Sequence, residues 1–219
     1  MNDMEPVLPG LTATGPWPLP FAASLCARAF LLERDQGNLL VYSVDELDAE
    51  RAANERAGGI SSQYLSHEHE AQTAPQGLIG PIVTHENARA AVPAAVAMPA
   101  TYSTRQMVDD DLEIIPTPGH TEGATCFRWR CGEHRVLFTG DTIFLRDGEW
   151  VAAVLDSSDR ERYVESLQLI SDLDFDVLVP WIATCGQPYH ALTDREDARN
   201  RIEAIIARIL RSAGFPRSC

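Results

Sequence analysis

Three histidines and one aspartate have the residue types and positions expected of metal ligands. His67 and His69 are two residues apart after a predicted strand, and in extended backbone such a pair projects to one side. His120 follows the turn sequence TPG, and Asp141 follows LFTG at the carboxyl end of another predicted strand, where sites in layered α/β proteins commonly lie. Three imidazoles and a carboxylate can surround a zinc ion, or an iron ion bound by two histidines and one carboxylate.

None of these features is specific by itself, because a single histidine at a strand end is more often a structural or surface residue. His85 and His134 lie outside the motifs and are interpreted as structural. Glu68 and Glu70 alternate with the two histidines and are expected to point away from an ion, as surface or supporting groups. A metal site therefore depends on the four side chains meeting at one place.

The elements that must position these side chains come in two halves, each a run of strands followed by a helix. Residues 1–26 are expected to form an N-terminal arm and first strand, and residues 27–219 a single domain of the α/β (α+β) class. The patterns predict a hairpin over 27–43, a helix over 44–57, a strand over 60–66, a strand and helix over 78–92, three strands over 112–141, a helix over 158–172, a final buried strand over 175–180 and a helix over 194–212.

Composition limits the class of protein. The net charge of −14 argues against nucleic acid or an anionic membrane as partner, but not against a small-molecule substrate. Hydrophobic residues make up 45% and charged residues 23%, as in a globular protein. The five cysteines show no CxxC pair, so no disulfide framework is predicted, and without a signal-like N-terminus the expected location is cytoplasmic.

Three segments, YLSHEHEAQ, IIPTPGHTEGATCF and VLFTGDTIF, resemble in this order three signature motifs of the metallo-β-lactamase superfamily. Residues 158–180 also look like the helix and strand that follow in glyoxalase-II-like members, so that the resemblance spans roughly residues 27–210. It implies a four-layer αββα sandwich with the metal site at one edge of the two sheets. It also implies that His67, His69 and His120 bind one metal, and that Asp141 normally bridges two.

The departures from the family pattern concern the second metal. The first motif usually reads HxHxDH, but Ala71 and Gln72 stand here at its Asp and His positions. The last motif, usually PGH, is PWI here, with Trp181 and Ile182 at its Gly and His positions. Such side chains cannot hold a divalent cation, so we expect one zinc ion, or alternatively one iron ion, and no second metal site. The candidates for replacing a missing ligand lie in the loop after that strand, namely Cys185 and His190.

The simplest function that the resemblance implies is hydrolysis of an ester, thioester, lactone or phosphoester by one metal-activated water. Asp141 is then the catalytic residue that orients or deprotonates this water, or a further ligand. One alternative is a mononuclear iron dioxygenase that uses His67, His120 and Asp141, the ligand pattern of persulfide dioxygenases. The other is a degenerate, non-catalytic member that acts as a binding protein.

The substrate pocket is expected between residues 94–108 and 144–159, although no substrate-binding residue can be named. Its aromatic candidates are Tyr102, Phe144 and Trp150, and Trp181 can fill the space of the second metal. A homodimer is compatible with the resemblance.

Overall fold

The structure is a computed structural model that describes residues 4–45, 59–94, 96 and 98–212. The strands are β1 (Glu5–Leu8), β2 (Leu11–Ala13), β3 (Trp17–Leu19), β4 (Ala22–Ala27), β5 (Phe30–Leu32), β6 (Asn38–Val41), β7 (Ile60–Tyr64), β8 (Ile82–His85), β9 (Ala100–Tyr102), β10 (Gln106–Val108), β11 (Leu112–Pro116), β12 (Thr125–Cys131), β13 (His134–Gly140), β14 (Phe144–Arg146), β15 (Glu149–Val151), β16 (Val177–Pro180), β17 (Ile182–Thr184) and β18 (Ala191–Leu192). The helices are α1 (Glu68–Thr73), α2 (Arg160–Asp172) and α3 (Arg195–Ser212), with 3-10 turns at Pro75–Gly77 and Glu86–Ala91.

Most of the predicted elements are confirmed. The hairpin over 27–43 is the antiparallel pair of β5 and β6, and the strands of the three motifs and the two long helices are present. The segment after β8 forms a 3-10 turn instead of an α-helix, and β17 and β18 follow the strand expected to be the last. Apart from its first two residues, the helix predicted over 44–57 lies outside the described residues. No described helix is long and apolar enough to cross a membrane.

The strands form three sheets. Sheet I has the order β1-β2-β5-β6-β7-β8-β9, sheet II the order β10-β11-β12-β13-β16-β18, and sheet III the order β15-β14-β17-β4-β3. Neighbouring residues of sheet II face opposite sides: Ile114 and Phe138 pack towards sheet I, whereas Ile115 and Leu137 pack against α2 and α3. A smaller apolar cluster joins β8 to α1 on the other side of sheet I. These layers agree with the expected αββα sandwich.

The N-terminal segment is not an arm, because residues 4–27 form four strands that belong to two sheets. Its prolines lie where a sheet tolerates them. Pro6 is in β1 and Pro18 is in β3, and each of these strands is at the edge of its sheet, where a missing N–H removes no interior hydrogen bond. Leu11 and Leu19 are almost fully buried, so this segment contributes to the core. The domain boundary at residue 26 stays a prediction.

A disulfide joins two cysteines that are distant in the sequence. Cys26 in β4 and Cys185 just after β17 are 159 positions apart and are bonded to each other. The two strands run antiparallel with Ala183 opposite Cys26, so strand pairing brings the thiols together. The cysteine pattern indicates no disulfide framework and does not identify this single bond, because residue spacing does not reveal which strands pair. Disulfides are typical of oxidising compartments, so this bond does not support the cytoplasmic location, which stays a prediction.

Candidate metal centre

Four side chains from three separate segments converge at one end of the sandwich. One ligand-type atom from each of His67, His69, His120 and Asp141 lies within 4.8 Å of all the others. His69 Nδ1 is 3.1 Å from His120 Nε2, and Asp141 Oδ2 is 3.4 Å from His67 Nε2 and 3.6 Å from His120 Nε2. In a tetrahedral zinc site with bonds of about 2.0–2.1 Å, neighbouring donors are about 3.4 Å apart. The spacing of the donors is therefore that of a cation site.

The two neighbouring histidines reach this point through a helix start, not through a continuous strand. His67 is the N-cap of α1 with extended backbone (φ −165°, ψ 170°), and His69 lies in the first turn of this helix. The prediction that both project from extended backbone is therefore wrong in its geometry. Their rings still meet, with centroids 5.2 Å apart, because the chain turns into the helix between them.

Hydrogen bonds fix which ring nitrogen of His67 and of His120 faces the cluster. His120 Nδ1 donates to the carbonyl oxygen of Ala153 at 2.6 Å, which leaves Nε2 as an acceptor. His67 Nδ1 lies 2.9 Å from Ser66 Oγ and 3.2 Å from Glu70 Oε1, which again directs Nε2 towards the cluster. His69 instead presents Nδ1. The neighbouring contacts thus preset the ring orientations that binding requires.

Glu70 does not point away from the histidines as expected, but it is a supporting group, which is one of the two roles expected for the glutamates of the motif. It is fully buried, and its Oε1 accepts hydrogen bonds from the backbone N–H of Ser66 at 2.7 Å and from Ser66 Oγ at 2.5 Å. Because it sits in the first turn of α1, its carboxylate reaches back over the helix N-terminus to His67. Glu68 is half-buried, and it is not part of the cluster.

A glycine and two tyrosines set the turn that carries Asp141. Gly140 has φ +53°, and a Cβ there would be 2.1 Å from Ser66 Oγ, so only glycine fits. Its N–H donates to Tyr42 Oη, and Tyr163 Oη donates to the carbonyl oxygens of Asp141 and Thr142. Both tyrosines are fully buried, which holds the carboxylate of Asp141 against the histidines.

The protonation pattern of the cluster suits a cation. Burial lowers the pKa of His67, but the attraction of Asp141 and Glu70 outweighs burial and raises it to about 10. Burial and then the charge of His67 lower the pKa of His120 to about 4. Burial opposes ionisation of Asp141, yet the charge of His67 keeps its pKa below the ordinary value. The surroundings thus favour a positive charge between the imidazoles and the carboxylate.

Two atoms of the cluster have unused bonding capacity. Within the described residues, His67 Nε2 and Asp141 Oδ1 are buried and have no hydrogen-bond partner. Leaving buried polar atoms unpaired is costly, and a bound cation with its water would satisfy both. The residues present therefore fit a divalent metal ion.

The positions where the family usually places its second metal hold no ligand in the described structure. Ala71 is buried in an apolar cluster, and Gln72 is exposed. Trp181 is buried against the ring of His67, 5.4 Å between centroids, and its Nε1 donates to the carbonyl oxygen of Ser43. Of the two suggested replacements, Cys185 is bound in the disulfide, and His190 contacts Tyr189 and is not part of the cluster.

A cleft of about 540 Å³ opens onto the cluster. Its lining includes part of the predicted segment 144–159 and, unexpectedly, the β3–β4 hairpin. The described lining residues are Leu19, Phe21, Leu25, His69, Thr73, His120, Asp141, Phe144, Arg146, Val151, Ala152, Ala153, Val154, Leu155, Trp181 and Ile182. Phe144 lines the cleft as expected, whereas Trp150 and Tyr102 are buried elsewhere in the core. No described residue of 94–108 lines it, since β9 and β10 lie at the outer edges of sheets I and II.

Comparisons with known proteins agree with this architecture. Among solved structures, the chain is similar to a metallo-β-lactamase from Hirschia baltica (TM-score 0.68, 16% identity, 92% of this chain and 96% of that chain covered). It is also similar to the metallo-β-lactamase FIM-1 from Pseudomonas aeruginosa in its mono-zinc form (TM-score 0.68, 14% identity, 98% and 97% covered). A third similar structure is a metallo-β-lactamase from Erythrobacter litoralis (TM-score 0.67, 14% identity, 94% and 96% covered).

Likenesses at such low identity show the fold alone, and no curated protein matches the sequence. The family model of the metallo-beta-lactamase superfamily, however, matches residues 43–180, which is more than half of the chain and contains all four clustered residues. The chain therefore belongs to the metallo-beta-lactamase superfamily.

Proposed function

We propose that the protein is a metal-dependent hydrolase that cleaves an ester, thioester, lactone or phosphoester of a small molecule with one metal-activated water. The observation that carries the proposal is the convergence of His67, His69, His120 and Asp141 at the floor of an open cleft, with two of their atoms buried and unpartnered. The resemblance of residues 158–180 to glyoxalase-II-like members stays a prediction and does not select a substrate.

A cation there would be held by Nε2 of His67, Nδ1 of His69 and Nε2 of His120, which leaves the fourth position of a zinc ion to a water beside Asp141. A zinc ion held there would polarise the substrate and lower the pKa of a bound water towards about 7. Asp141 Oδ1, which has no partner, can accept a proton from that water. The hydrogen bond from His120 to Ala153 keeps its ring in place while the substrate enters from the cleft.

The donor set favours zinc over iron, and one ion over two. An iron dioxygenase would use His67, His120 and Asp141, but His69 Nδ1 lies 3.1 Å from His120 Nε2 and adds a third imidazole. Ala71 and Trp181 occupy positions where a second ion would need ligands. The non-catalytic alternative explains the cleft as a binding site but gives no role to the unpartnered carboxylate oxygen of Asp141.

The experiment is hydrolysis of 4-nitrophenyl acetate and of an acyl thioester by protein purified without chelators. We expect activity that is lost on treatment with a chelator and restored by one equivalent of zinc. His120→Ala should abolish it, whereas His134→Ala, which alters a histidine outside the cluster, should not. Activity that survives metal removal, or that His120→Ala leaves unchanged, would overturn the proposal.

A further inference from the structure

Among the described residues that line the cleft, most are apolar apart from the cluster, and one carries a permanent positive charge. The apolar surface comes from residues such as Phe21, Leu25, Val151 and Leu155. The positive charge comes from Arg146, which also lines the cleft. Phe21 is 72% exposed at the turn between β3 and β4, and Leu155 is 39% exposed in the loop after β15. The cleft thus combines apolar walls with a fixed positive charge.

The strand geometry directs Arg146 into this cleft. Alternate residues of β14 face opposite sides, so Leu145 is buried in the core that faces α2 and α3, while Phe144 and Arg146 line the cleft. The guanidinium lies over the ring of Phe144, 5.1 Å from its centroid, and the backbone connects it to Asp141 through four residues. Arg146 and the metal cluster therefore belong to one continuous wall.

Within the described residues, the charge of Arg146 is not neutralised by an ion pair. Other arginines of the molecule are paired, such as Arg128 with Glu113 at 2.7 Å and Arg135 with Asp174 at 2.8 Å. The nearest acidic residue in register is Glu149, which is opposite Arg146 in the β14–β15 pair and faces the same side of the sheet. It is exposed and makes no ion pair with Arg146 in the described structure.

We infer that Arg146 binds an anionic group of the substrate, so that the substrate class is an ester or thioester with an apolar body that ends in a carboxylate or phosphate. This inference rests on the proposed function for the reacting bond, and it adds the anionic group and its binding residue. The apolar body lies along Phe21, Leu25 and Leu155, and the guanidinium donates paired hydrogen bonds to the anion. In a protein with a net charge of −14, such a local cation gives selectivity that the overall charge does not.

Binding is tested first without catalysis, by isothermal titration calorimetry with 3-phenylpropanesulfonate and the uncharged 3-phenylpropan-1-ol. The sulfonate is a poor metal ligand, so a preference for it over the alcohol reports binding to the guanidinium of Arg146 and not to the metal ion. We expect the wild type to bind the sulfonate about 10-fold more tightly than the alcohol, the size of one charged hydrogen bond. The preference should disappear in Arg146→Gln, increase in Glu149→Gln and stay unchanged in Arg162→Gln, an arginine away from the cleft.

Kinetics test the same residue on the reaction. We compare 4-nitrophenyl hexanoate with the 4-nitrophenyl monoester of adipic acid, which differs by a terminal carboxylate. Arg146→Gln should raise KM for the acidic ester alone, with kcat retained. Equal binding of the two calorimetric probes by the wild type, or an unchanged preference in Arg146→Gln, overturns the inference. If the wild type prefers the sulfonate but hydrolyses neither ester, the proposed hydrolase activity on these esters is overturned. The anion-binding role of Arg146 is then still supported.

Discussion

Groups around the cluster hold the imidazole rings of the metal-binding histidines in place through hydrogen bonds. His67 touches Ser66 and Glu70 on its Nδ1 side, and His120 touches the carbonyl oxygen of Ala153. Such partners hold the ring and raise the basicity of the opposite nitrogen, which is why their loss weakens metal binding in many proteins. The contact of Glu70 with His67 therefore gives its supporting role a measurable consequence.

Replacing Glu70 should weaken metal binding without unfolding the protein. In Glu70→Gln we expect the zinc affinity, measured by competition with a chromophoric chelator, to fall about 10- to 100-fold. The amide keeps the size of the side chain but removes the charge next to His67. Glu122→Gln, at a side chain that is 74% exposed, serves as the control and should bind zinc like the wild type. Equal affinities in Glu70→Gln and the wild type would show that Glu70 is only structural.

At the scale of elements, the disulfide holds the β3–β4 hairpin, which forms one wall of the cleft. Cys26 lies in β4, directly after Leu25, which lines the cleft, and Cys185 follows β17. The bond closes a loop of 159 positions, and long loops gain the most from closure. The hairpin is therefore held to β17 by strand pairing together with a covalent link.

Removing this bond should destabilise the protein by about 2–4 kcal/mol. The measurement is urea unfolding of the wild type and of Cys26→Ser/Cys185→Ser, each with and without dithiothreitol. Reductant should lower the unfolding midpoint of the wild type to that of the double variant and leave the variant unaffected. A wild type that is insensitive to reductant would mean that the two thiols are not bonded in solution.

For the whole molecule, an ion-pair cluster joins the β5–β6 turn of sheet I to the β10–β11 turn of sheet II. Arg34, between β5 and β6, binds the carboxylates of Asp109 and Asp111, between β10 and β11. Arg34 Nε donates to Asp111 at 2.8 Å, and Trp129 Nε1 donates to the same carboxylate at 3.0 Å. Burial opposes ionisation of Asp111, but these bonds keep its pKa below the ordinary value.

This lowered pKa gives stability a defined pH dependence. The carboxylate of Asp111 stabilises the folded state fully above its unfolded pKa of about 3.9, and this contribution is lost as the pH falls through the lower, folded pKa. At pH 7 we expect Asp111→Asn to lower the free energy of unfolding by about 1–3 kcal/mol. The difference from wild type in thermal or urea unfolding should shrink below about pH 4. A difference that is independent of pH would contradict this role.

The sequence predicted what is local and missed what depends on pairing between distant segments. The clustered histidines and Asp141 follow strands or turns that short motifs specify, so their convergence could be inferred. An extended histidine segment would point Glu70 outwards, but this segment begins a helix, so the side chain turns back to His67. The edge strands with Pro6 and Pro18, and the disulfide, depend on which strands become neighbours, which spacing does not encode.

The central claim is that one cation sits among His67, His69, His120 and Asp141. Its most direct test is the metal content, by mass spectrometry of the elements, of metal-free protein that is loaded with zinc and desalted, compared with His120→Ala. We expect one zinc ion per chain in the wild type and none retained in the variant. Two zinc ions per wild-type chain, none, or an unchanged content in His120→Ala would contradict it.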